Sequence, residues 1–176
     1  MNKNATWMLV EAGLAIAISY VLHFIVLFHM PQGGSIHAAH LVPLLIYAYR
    51  WGLKAGVTAC IVYGILVFLL GFKYSIHPLS IVLDYVVAYG LIGIAGGFKD
   101  TKNGLLIGSL LACFGRWCSS VISGAVVFGS YAPAGQNPWI YSLIYNTGYI
   151  LPDAIINVVV LLLVYPSINK GLKANK

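Results

Sequence analysis

Long apolar runs, unbroken by any alternation of polar residues, leave this chain very few ways to fold. They cover approximately residues 5–29, 37–49, 53–71, 79–98, 104–127 and 139–167. Most reach the roughly 20 residues that a helix needs to cross a hydrocarbon core. In lipid every backbone N–H and C=O must be satisfied internally, which leaves helices and closed barrels. Barrel strands are short and alternate apolar with polar residues, a pattern missing here, so the barrel is excluded. The whole chain is 60% hydrophobic and 8% charged, far too little charge to cover a soluble domain of this size. The fold class is therefore all-α: one polytopic bundle of six helices, with residues 1–176 as a single membrane domain in contact with lipid. The second run differs from the rest, being short and carrying His37, His40 and Pro43. It reads as a short or tilted helix packed inside the bundle.

Charge placement sets the orientation. Lys3, Arg50, Lys54, Lys99, Lys102, Lys170, Lys173 and Lys176 fall on one set of connections, and only Lys73 falls on the other. Basic residues collect on the cytoplasmic side, so both termini are expected in the cytoplasm of a multi-pass cell-membrane protein. The formal net charge of +6 is thus topology and implies no nucleic acid. The first run holds Glu11 and His23 without a small-residue cleavage pattern, and is read as a retained helix.

Only four carboxylates occur: Glu11, Asp84, Asp100 and Asp153. Asp84 and Asp153 lie inside membrane-length apolar runs, where an ionisable residue marks a functional site by default. Asp84 is followed by Tyr85. The stretch AVVFGSYAPAGQNPWIYSLIYNTGY brings Phe128, Tyr131, Trp139, Tyr141, Tyr145 and Asn146 to the outer side. A carboxylate, aromatic faces for cation–π contact and an amide together describe a pocket for a small, flat, positively charged molecule. Arg116 is the remaining charge at membrane depth, with Asp84, Glu11 and Asp153 as possible partners and a structural ion pair as the favoured role.

Enzymatic signatures are missing: no GxSxG, HExxH, Walker A or DDxxD pattern occurs, so the chain is read as neither an enzyme nor able to use ATP by itself. Cys60, Cys113 and Cys118 are odd in number and form no CxxC, which fits small apolar core residues. His37 and His40 are spaced to share a helix face, but the sequence places no third ligand beside them, so neither metal nor cofactor is expected. Small residues at Gly13/Ala17, Gly52/Gly56, Gly93/Gly97 and Gly104/Gly108 allow close helix approach. The last three pairs read as packing, whereas Gly13/Ala17 reads as a docking face for another membrane protein.

The stretches MPQGGS (30–35), YRWGLKAG (49–56), HPLSIVLDYVVAYGLIGIAG (77–96) and RWCSSVISGAVVFGSYAPAGQNPWIYSLIYN (116–146) resemble the thiamine-specific S-components of energy-coupling factor (ECF) vitamin transporters. The resemblance spans most of the chain, in the family's order. It implies a high-affinity thiamine-binding subunit that works with a transmembrane coupling protein (EcfT) and two ATPases (EcfA and EcfA′). It places Asp84 and Tyr85 on the thiazolium side, Tyr141 and Asn146 of YSLIYN on the aminopyrimidine, and Tyr74 in the pocket. Phe128 and Trp139 would add aromatic faces, MPQGGS a lid, and Gly13 and Ala17 the contact with the coupling protein. Two positions depart from the family pattern: Ser120 where thiamine binders carry a histidine, and Phe128 where some carry a tryptophan. Those departures bring in a related heterocycle, hydroxymethylpyrimidine or a B6 vitamer, as the alternative ligand. A self-contained channel or facilitator is the reading from a different class.

Overall fold

A computed structural model describes residues 3–174 except 72 and 74. Six helices form the bundle: α1 (Lys3–His23), α2 (Val42–Trp51), α3 (Leu53–Leu70), α4 (Pro78–Phe98), α5 (Gly104–Val126) and α6 (Pro138–Ala174). All but α2 are long and apolar enough to cross a membrane. With 10 residues, α2 rises only about 15 Å at 1.5 Å per residue, half a hydrocarbon core. It is the packed inner helix that its length and its histidine-bearing approach suggested, with Leu44, Leu45 and Ala48 fully buried.

The first apolar run is not helical to its end. The helix stops at His23, and residues 26–29 form strand β1, paired antiparallel with β2 (Ser35–His37). Phe24, Ile25, Val26 and Phe28 are β-branched or aromatic, residues that fit a strand better than a helix terminus. Pro31 and the left-handed Gly33 (φ 97) and Gly34 (φ 83) then turn the chain back. The fold is a helical bundle carrying one small hairpin, a refinement of the all-helical expectation.

Cross-bundle contacts define its two ends. Arg50 of α2 pairs with Glu11 of α1 at 3.0 Å, and Trp51 Nε1 donates to the same carboxylate at 2.7 Å. Tyr49 meets Tyr165 of α6 edge-on at 5.6 Å. The start of α1 and the late part of α6 therefore share the basic end of the bundle. The hairpin, the start of α4 and the α5–α6 connection lie at the other.

Glycines act where helices touch. A Cβ on Gly56 would meet the Gly93 carbonyl at 2.8 Å, and one on Gly108 the Ala95 carbonyl at 2.8 Å. The expectation that these small residues serve packing holds at these contacts. Gly52, at φ 90, breaks α2 from α3 in the tight connection expected there. Cys60 and Cys113 are buried free thiols and Cys118 is half-buried. Helix α1 is the outermost element, with only 11% of its spanning window buried.

Candidate substrate-binding site

Helix α4 is not uniformly α-helical. Residues Ile81–Val87 form a π-helical stretch, followed by α-helix and then a 3-10 ending. A π segment widens the turn, re-aims side chains and commonly coincides with function. Two neighbours favour it here. Gly64 of α3 has no Cβ, which lets the Tyr85 carbonyl lie directly against it. Ser119 of α5 donates to the Leu83 carbonyl at 2.7 Å, adding a bond where the helical ladder is perturbed.

Asp84 and Tyr85 sit within this stretch, on the wall of a cavity of about 210 Å³ that lies between α4, α5, α6 and the hairpin turn. Asp84 Oδ2 accepts from Ser80 at 2.8 Å and from Ser123 at 2.6 Å. Among the described residues, no basic group lies within ion-pair distance of it; the ion pairs are Glu11–Arg50 and Asp153–Arg116. Two hydroxyls orient the carboxylate without neutralising it. Tyr85 packs edge-on against Phe68 at 5.2 Å.

Helix α6 supplies the opposite wall. Tyr141, Tyr145 and Tyr149 recur every four residues, so one helix face becomes a phenol ladder with centroid spacings of 5.8 and 6.2 Å. The ladder holds the hairpin turn. Tyr141 donates to Gln32 Oε1 at 2.8 Å, Tyr145 donates to the Gly33 carbonyl at 2.8 Å, and the Gln32 N–H donates to Tyr145 at 2.9 Å. A Cβ on Gly34 would meet the Tyr149 ring at 2.7 Å, so this turn seats only with glycine there. Asn146 is satisfied within its own helix: Nδ2 donates to the Ser142 carbonyl at 2.9 Å, and Oδ1 accepts from Tyr149 at 2.8 Å. Gly124 of α5 lets that amide and Ser142 come close.

The second intramembrane carboxylate is structural. Asp153 is fully buried and accepts from Arg116 at 2.8 Å and from the His37 N–H at 3.0 Å. One turn on, Asn157 Oδ1 accepts the Leu41 N–H at 2.7 Å. These are backbone donors in the turn entering α2, which has no side-chain cap of its own, so α6 satisfies them in its place. Arg116 also lies over the Tyr89 ring at 5.3 Å.

The expected site residues Asp84, Tyr85, Tyr141, Asn146, Phe128 and Ser120 all line one cavity. Trp139 does not. It is 52% exposed on the first turn of α6, because its place two residues before Tyr141 turns it away from the face that the ladder occupies. Tyr74 lies outside the described residues. Gly13 and Ala17 face outward on α1 and do not line the cavity, with nothing within 4 Å of a Cβ on Gly13. The sequence reading missed Tyr89, Tyr149, Gln32 and the two serines on Asp84. Tyrosines at i, i+4 and i+8 after Pro138 were a visible signal for the ladder; the serine contacts cross between helices and had none.

Residues 9–172 match the family described as thiamine transporter protein (Thia_YuaJ). The thiamine transporter ThiT of Bacillus subtilis (strain 168) is 37% identical over 96% of this chain and 95% of its own length. The thiamine transporter ThiT of Lacticaseibacillus paracasei is 30% identical, over 85% of this chain and 80% of its own. A solved structure of ThiT from Listeria monocytogenes superposes with a TM-score of 0.84 at 22% identity, covering 96% of this chain and 98% of that one, and so shares the fold. The chain belongs to the thiamine transporter (Thia_YuaJ) family.

Proposed function

We propose that this chain is the membrane-embedded binding subunit for thiamine, and that Asp84 carries the recognition. The supporting observation is the state of that carboxylate: it lies on a cavity wall, oriented by two serine hydroxyls and left without a cationic partner. A buried carboxylate in this condition favours a cationic ligand, because the pair restores the charge balance that burial has disturbed. Thiamine combines a fixed positive charge with two flat rings. Asp84 balances the charge, while Tyr85 and Phe128 offer aromatic faces for stacking and cation–π contact. Tyr141 and Asn146, with Ser120 opposite on α5, present the polar edge for the aminopyrimidine. The turn over 30–35 acts as a lid, tied down by the phenol ladder.

Transport follows from partners. The chain carries no nucleotide-binding sequence, so an EcfT-type coupling protein and the EcfA and EcfA′ ATPases supply the energy, with Gly13 and Ala17 as the contact on α1. The termini lie on the cytoplasmic side, in keeping with the basic residues at that end.

Calorimetric titration of the purified chain with thiamine tests the reading. Calorimetry is preferable to tryptophan fluorescence, since Trp7, Trp51, Trp117 and Trp139 all lie off the cavity. Asp84→Asn keeps the serine contacts and removes the charge, and it is expected to weaken binding by about 2–5 kcal/mol, more than tenfold in affinity. Thiamine binding that is equally tight in the variant overturns the role of Asp84. Tight binding of hydroxymethylpyrimidine or pyridoxine, with none of thiamine, transfers the site to that heterocycle and marks Ser120 and Phe128 as the cause.

A further inference from the structure

Three histidines from three separate elements meet beside the cavity. His23 comes from the last turn of α1, His37 from the end of β2, and His40 from the turn that enters α2. One nitrogen from each ring lies within 4.8 Å of the others. The rings crowd together, with centroids 4.2 Å apart for His23–His37, 4.5 Å for His37–His40 and 5.6 Å for His23–His40. His23 Nδ1, His37 Nδ1 and both nitrogens of His40 are buried with no hydrogen-bond partner among the described residues.

Buried polar atoms are almost always satisfied, and four unpaired imidazole nitrogens in one place call for an occupant. The geometry points to a binding site for a divalent transition-metal ion of the zinc class, held by His23, His37 and His40. Neutral imidazole is a preferred ligand for such ions, and three protein ligands with an open fourth position is a recurrent zinc arrangement. His23 and His37 also line the cavity, so the fourth position falls to water or to a donor atom of the cavity's occupant.

A second feature is independent of the cluster. Metal-bound histidines usually direct their other ring nitrogen to a carboxylate, which fixes the tautomer and raises basicity. His40 Nδ1 faces Asp153 Oδ1 at 3.6 Å, a short slide from a hydrogen bond, and this leaves Nε2 as the ligand atom. The same carboxylate holds Arg116 and tempers its repulsion of an incoming ion. Zinc–nitrogen distances of about 2.0–2.1 Å bring tetrahedral ligand atoms to roughly 3.3 Å of one another. The rings must therefore draw in by about 1.5 Å at most, within reach of side-chain rotation.

The test uses the full chain without a histidine tag, purified in detergent, stripped with chelator and titrated with Co²⁺. One equivalent is expected to bind with the intense visible absorption of a low-symmetry cobalt centre, and Zn²⁺ should displace it. His23→Gln and His37→Gln should each weaken Co²⁺ binding tenfold or more, while His29→Gln and His77→Gln, at exposed positions, change nothing. No stoichiometric binding overturns the proposal, as does binding that persists in His23→Gln and His37→Gln. Should those variants fail gel filtration, X-ray absorption of the zinc-loaded native chain decides. Three imidazole nitrogens at about 2.0–2.1 Å support the site, and fewer overturn it.

Discussion

Asp84 and Asp153 are both aspartates within membrane-length helices, yet their neighbours set them apart. Asp153 accepts from Arg116 and from the His37 N–H; Asp84 meets only serines. Removing one partner of a buried ion pair strands the other, at a cost of about 3–5 kcal/mol. Asp153→Asn should therefore lower thermal stability in detergent by that order, and adding Arg116→Met should recover part of the loss. A melting temperature equal to the native chain's would show that the pair is not structural. Asp84→Asn should instead cost affinity with little effect on melting. Both carboxylates were legible in the sequence, since acids in apolar runs stand out. Arg116 had three candidate partners, because its choice depends on which helices adjoin and in what register.

At the scale of elements, the site depends on two departures from regular helix. The π segment of α4 is locked by Gly64, whose Cβ position is occupied by the Tyr85 carbonyl and lies 3.1 Å from Tyr89 Cβ. Gly64→Ala must push α3 from α4, an overpacking worth about 1–3 kcal/mol, and it should weaken both stability and ligand affinity. Gly97→Ala, which meets only a Leu53 methyl at 3.9 Å, is the matched control and should be silent in both assays. The second departure is the hairpin turn. Tyr145→Phe removes two hydrogen bonds to Gln32 and Gly33, worth about 0.5–1.5 kcal/mol each. If the turn acts as a lid, bound thiamine should then leave roughly tenfold faster in a filter-binding chase, and an unchanged rate would rule the lid out. The Gly-Gly turn was readable from residue type. That α1 ends at His23 was not, because the run from Phe24 to Phe28 is as apolar as the helix before it and only strand pairing decides its state.

For the whole molecule, α1 stands apart. It is the least covered spanning helix, and Gly13 and Ala17 lie on its outward face among Val10, Leu14, Ile18 and Val21. Small residues on a lipid-exposed face permit close approach of another helix. If an EcfT-type protein docks on this face, Gly13→Trp should abolish co-purification with it while leaving calorimetric thiamine binding intact, since Gly13 faces outward, ten residues along α1 from His23 on the cavity wall. Loss of both activities would place the defect in folding instead. Contacts between Glu11 and Arg50, and between Tyr49 and Tyr165, bring the first half of α1 and the late part of α6 to the end of the bundle where α2 meets α3.

Hydropathy by itself determined that this chain is a membrane helix bundle and which acids are out of place, and charge placement set the expectation for which side its loops occupy. Those properties follow from transfer free energies summed along the chain, a local quantity that no tertiary contact reverses. Only the folded structure decided that α2 is a half-length inner helix and that Trp139 turns away from the cavity. It alone assigned Arg116 to Asp153 and gathered His23, His37 and His40 into one cluster. Each of these depends on the register between helices distant in sequence, which is set by close packing at glycine contacts and by buried hydrogen bonds. No periodicity along the chain encodes that register.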